Sequence, residues 1–440
     1  MNKLLLTFYG DDFTGSTDAL EQLTLAGIRA ALFVEPPMPA QLKKFSNLQA
    51  IGVAGMTRSM TPRKMEAELR PAFLKLKKLG ARHVHYKVCS TFDSSPQIGS
   101  IGRVLELGAQ IFSASFVPIL AAAPALGRYT IFGNHFACFG IGSDGQIHRL
   151  DRHPAASKHP VTPMTEADLR VHLSKQTKKK IALFDLLKIG LPANASLAAL
   201  KTILAQKPDA ILFDALTDKN LQHIAKLLDG FARAKQPLFS IGSSGIESAL
   251  AMQWRKPRRG RKFARPVKQI LAGSGSCSPV TSGQISFALK KSFAEVALSA
   301  DKLAVNSSRE IQRATDAAVK FLQNGRSVII HTTKTGSEKR IVTKLKNQTA
   351  KVLGTALGNV LRGALERTNV SRLCIAGGDT SSFAARALGI QALEMIAPLT
   401  PGAPLCKVSA PNSPVDGKEI VFKGGQVGAE NYFETVLKGK

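Results

Sequence analysis

The stretch Leu4-Leu5-Leu6-Thr7-Phe8-Tyr9-Gly10-Asp11-Asp12-Phe13-Thr14-Gly15-Ser16-Thr17-Asp18 decides how the rest of the chain is read. An apolar run of strand length, Leu4 to Tyr9, passes through Gly10 into two adjacent carboxylates and then into a helical pattern that continues to about Ala26. A strand apolar on both faces belongs inside a parallel sheet covered by helices. In such sheets ligands bind outside the carboxyl ends of the strands, where the next helix offers free backbone N–H groups. Asp11 and Asp12 stand at such an exit. Side by side they repel each other and resist burial, so their placement calls for a compensating task, binding a substrate hydroxyl or taking its proton. The plainer alternative makes Asp12 a helix cap and leaves Asp11 in solvent.

Outward from this opening, short apolar runs alternate with amphipathic ones. Strands are expected at Ala30–Val34, Ala50–Ala54, His83–Val88, Phe116–Ala121, Ile181–Leu186, Ala210–Ala215 and Pro237–Ile241. Helical periodicity covers Lys64–Leu79, Glu166–Gln176, Leu197–Gln206 and Leu221–Ala234. A basic, proline-bearing stretch follows, and the alternation resumes with strands at Val267–Ala272, Ser327–Thr332, Arg372–Ala376 and Ile420–Lys423. Helices are expected there at Val280–Leu289, Ser308–Gln323, Ser337–Gly354 and Ser382–Leu388, and an irregular excursion at Pro398–Pro414. At 440 residues two cores are the natural arrangement. The reading is an α/β protein of two domains, 1–254 and 267–440, joined by a basic linker 255–266. Each domain is a mainly parallel sheet flanked by helices, with the active site in the cleft between them.

Hydrophobic content of 44% and charged content of 21% describe an ordinary globular chain. No apolar run reaches the ~20 residues of a membrane span. The amino terminus lacks the pattern of a secretory signal, so a cytoplasmic location and no membrane partner are expected. Cys89, Cys138, Cys277, Cys374 and Cys406 are scattered and read as buried free thiols. His83 and His85 would share one face of a strand, too weak a pattern to name a metal site. The net charge of +29 is concentrated only between Arg255 and Lys268. Spread elsewhere along helical faces, it describes a solvated surface better than a nucleic-acid groove.

Three exits in the second half share one logic. Gly273-Ser274-Gly275-Ser276-Cys277-Ser278-Pro279, Gly377-Gly378-Asp379-Thr380 and Lys423-Gly424-Gly425-Gln426-Val427-Gly428 each follow a strand and lead toward a helix. Glycine lets backbone amides approach phosphate oxygens closely, and hydroxyls add donors, so three such loops in one domain make a phosphate cradle. GxxxxGK[ST] is absent, and the single GxGxxG string, Gly140 to Gly145, neither follows an expected strand nor opens an expected helix, which argues against a P-loop enzyme and a nicotinamide-binding domain.

These motifs resemble, in order and along the whole chain, the four-carbon acid sugar kinases. Agreement extends to Pro124-Ala125-Leu126-Gly127-Arg128, His159-Pro160-Val161-Thr162-Pro163 and Gly242-Ser243-Ser244-Gly245. The resemblance implies transfer of the γ-phosphoryl group of ATP, with Mg2+, to a hydroxyl of a tetronate or 3-oxo-tetronate. It implies an acid-sugar site on the amino-terminal domain, with Asp12 and Asp11 catalytic and Lys87, Ser90, Arg128 and His159 binding substrate. By the same likeness ATP falls to Ser276, Gly377, Gly378, Asp379, Thr380, Gly424 and Gly425, with no protein-held metal. Closure across the linker would shield the transfer from water. The chain departs from the family's usual pattern at Cys89, where an aspartate is typical, and at Asp93, where an arginine is. Asp93 reverses a charge beside the acid pocket. A kinase for another small hydroxy acid or polyol is therefore one rival reading, and a basic polyanion-binding protein is the other. A homo-oligomer is left open.

Overall fold

The computed structural model describes residues 4–139, 145–159, 161–254, 263–332 and 349–440, with the backbone alone at 349 and 379. The chain divides into two compact units, Met1–Ala31 with Glu35–Arg258, and Leu32–Val34 with Arg259–Lys440.

In the first unit the strands are β1 (Leu6–Gly10), β2 (Ala30–Phe33, its end counted with the second unit), β3 (Ala50–Ala54), β4 (His83–Lys87), β5 (Val117–Leu120), β6 (Arg128–Ile131), β7 (Asn134–Cys138), β8 (Ile147–Arg149), β9 (Ile181–Phe184), β10 (Ala210–Phe213) and β11 (Leu238–Gly242). Its longer helices are α1 (Phe13–Leu25), α2 (Pro62–Lys78), α3 (Ile101–Phe112), α4 (Ala193–Ala205), α5 (Asp218–Asp229) and α6 (Gly245–Trp254). The sheet runs β3-β1-β4-β11-β5-β10-β9, every pair parallel. The order of strand addition reverses at β1, which lies between β3 and β4, so a crevice opens at that strand's carboxyl end. Register makes the crevice level: Ala54 pairs with Gly10, Gly10 with Lys87, Lys87 with Gly242, and Gly242 with Leu120. Five strands thus release their loops from one row.

Aromatic packing holds that row rigid from below. Tyr9 stacks on Tyr86 at 6.2 Å, Phe112 on Phe239 at 5.1 Å, and Phe73 meets the edges of Tyr9 and Tyr86. Such ring pairs add to the large apolar area they bury. Three antiparallel strands, β6-β7-β8, form a separate small sheet that the pattern reading did not anticipate, because each is short and only partly buried.

The second unit has β12 (Ile270–Ser274), β13 (Ala294–Ala297), β14 (Val328–His331), β15 (Arg372–Ala376), β16 (Ala392–Thr400), β17 (Ala403–Ser409) and β18 (Glu419–Lys423). Its longer helices are α7 (Pro279–Lys290), α8 (Ser307–Gln323), α9 (Thr349–Glu366), α10 (Gly378–Ala387) and α11 (Tyr432–Lys438). The parallel order is β13-β14-β12-β15-β18, continued antiparallel by β17 and β16 and by Leu32 and Phe33 against β16. Ser274 pairs with Ala376, and Ala376 with Lys423. The three glycine-rich loops therefore leave adjacent strands at one level. Buried Arg372 binds β15 to its surroundings through Glu419 and the Val436 and Arg265 carbonyls, at 2.7, 2.7 and 2.6 Å.

Several expectations are corrected. Pro398–Pro414 is not irregular, because β16 and β17 form an antiparallel hairpin through it. The ladder tolerates Pro398 because the register shifts between Ala397 and Thr400, where a missing donor is not needed. Cys374 and Cys406 are buried thiols, but Cys89 and Cys138 are half-buried and Cys277 is exposed. The helix expected from Ser337 and most of the basic run, Arg255 through Lys262, lie outside the described residues, which resume at 349 and 263. Among the described residues no helix is long and apolar enough to cross a membrane.

Candidate active site

In the first unit Asp12 is the N-cap of α1, with φ −143° and ψ 169°. Its Oδ1 accepts from the Gly15 N–H at 2.8 Å and its Oδ2 from the Thr14 hydroxyl at 2.8 Å. The capping alternative is therefore correct for Asp12, but Asp11 is not in solvent, being 3% exposed like Asp12. What permits this burial is Arg58, in the short turn after β3. One of its nitrogens, Nη2, lies 3.1 Å from Asp11 Oδ1 and 3.0 Å from Asp12 Oδ1. Asp11 is held further by the Cys89 N–H on Oδ2 at 3.3 Å, while its own backbone bridges Lys87 and Arg58.

The electrostatics separate the two carboxyls. Burial pushes Asp11 up despite Arg58 and Lys87. Burial acts the same way on Asp12, but Arg58, Lys87 and the hydrogen bonds from Thr14 and Gly15 outweigh it and hold Asp12 below its ordinary value. Arg58 is held well above its usual range, burial being outweighed by Asp11 and Asp12. Lys87 is 2% exposed, and a Cβ on Gly15 would come within 2.4 Å of its Nζ and 2.5 Å of Asp12 Oδ1. A glycine one turn into α1 thus makes room for ammonium and carboxylate together.

Of the other residues singled out from sequence, Ser90 is buried and its carbonyl accepts from His135 Nε2 at 2.9 Å. Arg128 opens β6, where its Nη1 donates to the Leu126, Gly127 and Cys138 carbonyls, and its buried Nε has no hydrogen-bond partner. It lies within the field of Cys89 and Asp93. His159 accepts the Thr162 N–H on Nδ1 at 3.1 Å and has no described contact with Asp11, Asp12 or Arg58. Asp93 accepts the Thr91 hydroxyl at 2.8 Å and acts on both Arg58 and Arg128. Four carboxylates, Asp11, Asp12, Asp18 and Asp93, are thus set against three cations, Arg58, Lys87 and Arg128. Burial pushes the Cys89 thiol up to about 11, so it is a neutral hydrogen-bonding group and no nucleophile at neutral pH.

Arg58 and His153 were missed. No glycine-rich or acidic motif marks Arg58, which reaches the carboxylates only because β3 neighbours β1. His153 accepts the Ala155 and Ala156 N–H groups on Nδ1, and its buried Nε2 has no hydrogen-bond partner. It feels Arg128 and Asp93. His153-Pro154 repeats the dipeptide that drew attention to His159-Pro160, and that repetition was the available signal.

In the second unit the three loops meet. Gly275 donates its N–H to the Ala376 carbonyl at 3.0 Å, and a Cβ there would come 2.4 Å from Thr380 Oγ1. Gly377 has φ +123°, with the Ser276 nitrogen 3.2 Å from where its Cβ would stand. A Cβ on Gly425 would come 2.8 Å from Ser276 Oγ. Gly378 and Thr380 begin α10, and Ser278 caps α7 with Pro279 in its first turn. Gly424 accepts the Val427 N–H at 3.2 Å, closing the terminal loop. Two helix N-termini and three side-chain-free approaches make a cradle for anionic oxygens. The side chain of Asp379 lies outside the described residues. Among the described residues no group of His, Cys, Asp and Glu is arranged to hold a metal ion.

Residues 6–250 match a family model described as a sugar-binding N-terminal domain, and residues 271–433 one described as a nucleotide-binding C-terminal domain. The chain is 39% identical to the 3-oxo-isoapionate kinase of Paraburkholderia graminis over 99% of this chain and 95% of that protein. It is 30% identical to the 3-oxo-tetronate kinase of Cupriavidus necator over 99% and 96%. A Salmonella typhimurium LT2 crystal structure shares the fold at a TM-score of 0.78 and 24% identity, covering 99% of this chain and 98% of that one. The Haemophilus influenzae protein HI1011 does so at 0.71 and 23%, covering 98% of each chain.

Proposed function

Since the chain belongs to the four-carbon acid sugar kinase family, we propose that it transfers the γ-phosphoryl group of ATP to a hydroxyl of a small sugar acid. The relatives' names point to an oxo acid of the 3-oxo-isoapionate or 3-oxo-tetronate kind. Residues 1–254 take the acid, 267–440 take the nucleotide, and 255–266 link them.

The observation that carries this reading is the sharing of one Arg58 nitrogen by Asp11 and Asp12 at the mouth of a parallel sheet. Phosphoryl transfer asks little covalent chemistry of a protein beyond an aligned nucleophile and neutralised charge. Asp12, held ionised, orients the acceptor hydroxyl. Asp11, the more basic of the two, takes its proton. Lys87 and Arg128 meet the acid's carboxylate or the transferring group, with Ser90 and His159 at the edge of the same site. Ser276, Gly377 through Thr380, Gly424 and Gly425 hold ATP. Mg2+ enters with the phosphates of the nucleotide. Asp93 supports a second reading, in which the acceptor is a more hydroxyl-rich acid or polyol, since a carboxylate there accepts hydroxyls and repels a second acid group.

The test is ADP release from ATP and Mg2+ against four-carbon sugar acids, their 3-oxo forms, 3-oxo-isoapionate and neutral polyols. Turnover on one acid, lost in Asp12→Asn and Asp11→Asn, supports the reading. Turnover confined to polyols replaces it by the second. Undiminished turnover in both variants refutes the assigned roles.

A further inference from the structure

Lys423, the last residue of β18, is 0% exposed at the floor of the glycine-rich cradle. Its ammonium donates to Thr281 Oγ1 at 2.9 Å, and that hydroxyl donates to the Gly425 carbonyl at 2.8 Å. The Tyr432 ring lies 5.3 Å from the ammonium on another side. Gln284, one turn further along α7, binds the Val427, Gly428 and Ala429 carbonyls at 3.0, 2.9 and 3.0 Å. Helix α7 therefore grips the whole terminal loop, and Lys423 completes the grip at Gly425.

A buried ammonium is ordinarily paired with a carboxylate. Among the described residues no carboxylate lies within ion-pair distance of Lys423. The titratable group facing it from β15 is the Cys374 thiol, which burial pushes up to about 12 and so keeps neutral. At the same edge His331 is bound to Glu295 at 2.8 Å, and Cys277 is exposed. Among the described residues the charge of Lys423 thus has no carboxylate counter-ion at the floor of the anion cradle.

We propose that the phosphates of the bound nucleotide are the missing counter-ion of Lys423, and that this lysine is a positioning residue that sets Gly425 through Thr281 and takes up a proton when the nucleotide arrives. The inference rests on reading the second unit as the ATP site. Lys423 does not touch the nucleotide, since it is fully covered; it acts through the hydroxyl and through its field. Geometry alone predicts the relay, and the burial that pulls the ammonium down to about 8 makes the coupling measurable. Near that pH the empty cradle has lost part of its charge, and an incoming polyanion restores it by favouring the protonated form.

The experiment is titration calorimetry of MgADP into the full chain, in buffers of different ionisation enthalpy, at pH 6.5 and pH 8. The expected result is uptake of about half a proton at pH 8 and much less at pH 6.5. Lys423→Arg, permanently charged, should bind without uptake. Lys423→Met and Thr281→Val should each weaken binding by about tenfold or more, and Thr281→Ser should restore it. MgADP binding to the native chain without proton uptake, or unchanged affinity in Lys423→Met, overturns the inference alone. Failure of the native chain to bind MgADP at all overturns the nucleotide assignment, and the inference with it.

Discussion

Gly15 lies directly against the ammonium of Lys87, with 2.4 Å between the position its Cβ would take and Lys87 Nζ. One turn of α1 and the end of β4 are thereby pressed together at the carboxyl edge of the sheet, and the field of the cation acts on Asp12 past a residue that has no side chain.

Gly15→Ala tests that contact. Helix propensity alone would favour alanine by ~1 kcal/mol, so the fold should survive. The added methyl must push aside Lys87 Nζ and Asp12 Oδ1, the two charged groups proposed to align the acceptor. The expectation is a melting temperature near that of the native chain with turnover lower by about 10²-fold. Undiminished turnover would mean that Lys87 and Asp12 do not act from these positions.

Arg58→Gln should be costly in a pH-dependent way. Without the guanidinium, Asp11 and Asp12 are adjacent buried carboxylates with only Lys87 to offset them. The loss is on the order of 2–3 kcal/mol, at the low end for a broken buried pair because Arg58 keeps some exposure. Asp11, which burial already holds above its ordinary value, loses its main counter-charge and rises further, so its contribution is retained in acid and lost as pH rises through its folded pKa. Urea denaturation at pH 5 and pH 8 should show the larger deficit at pH 8, and an equal deficit at both would contradict this account.

Glu247, in the first turn of α6, is fully buried, neither oxygen has a hydrogen-bond partner, and burial pushes its carboxyl up to about 8. It is therefore neutral at pH 7, beside a His85 that burial pulls down to about 3. A raised folded pKa gives stability that is complete below the unfolded value, near 4.5, and is lost progressively up to about pH 8. Glu247→Gln should flatten stability against pH across that window by up to ~1.4 kcal/mol per unit. Parallel profiles for the two proteins would place an ionised glutamate in the core.

Gly377→Ala joins two penalties. At φ +123° an alanine is strained by about 1–3 kcal/mol, and its methyl would stand 3.2 Å from the Ser276 nitrogen. Equilibrium binding should show MgATP affinity reduced by about tenfold or more, the equivalent of 1.4 kcal/mol. Retained affinity would exclude this loop from the nucleotide site.

The parallel sheets were legible because both-face burial writes continuous apolar runs: Ala50–Ala54 and Arg372–Ala376 emerge with the bounds read from the chain. The hairpin β16–β17 was not, since its prolines argued for irregularity and only the register shift at Pro398 reconciles them with a ladder. The small β6-β7-β8 sheet was hidden by strands half in solvent. At the site, Asp11, Asp12, Lys87 and the glycine loops announced themselves as strand exits. Arg58 and His153 did not, because nothing local distinguishes an arginine or a histidine that will be buried against distant charges.

What the sequence alone determined is which residues leave the sheets, since strand exits are local events written in apolar runs, glycines and capping carboxylates. Tertiary structure alone decided which exits stand together. Strand order sets β3 beside β1 and β15 beside β18, and parallel register levels Ala54 with Gly10 and Ala376 with Lys423. Burial then turned Asp11 and Asp12 into unlike acids, because the energy of a charge depends on neighbours that come from elsewhere in the chain.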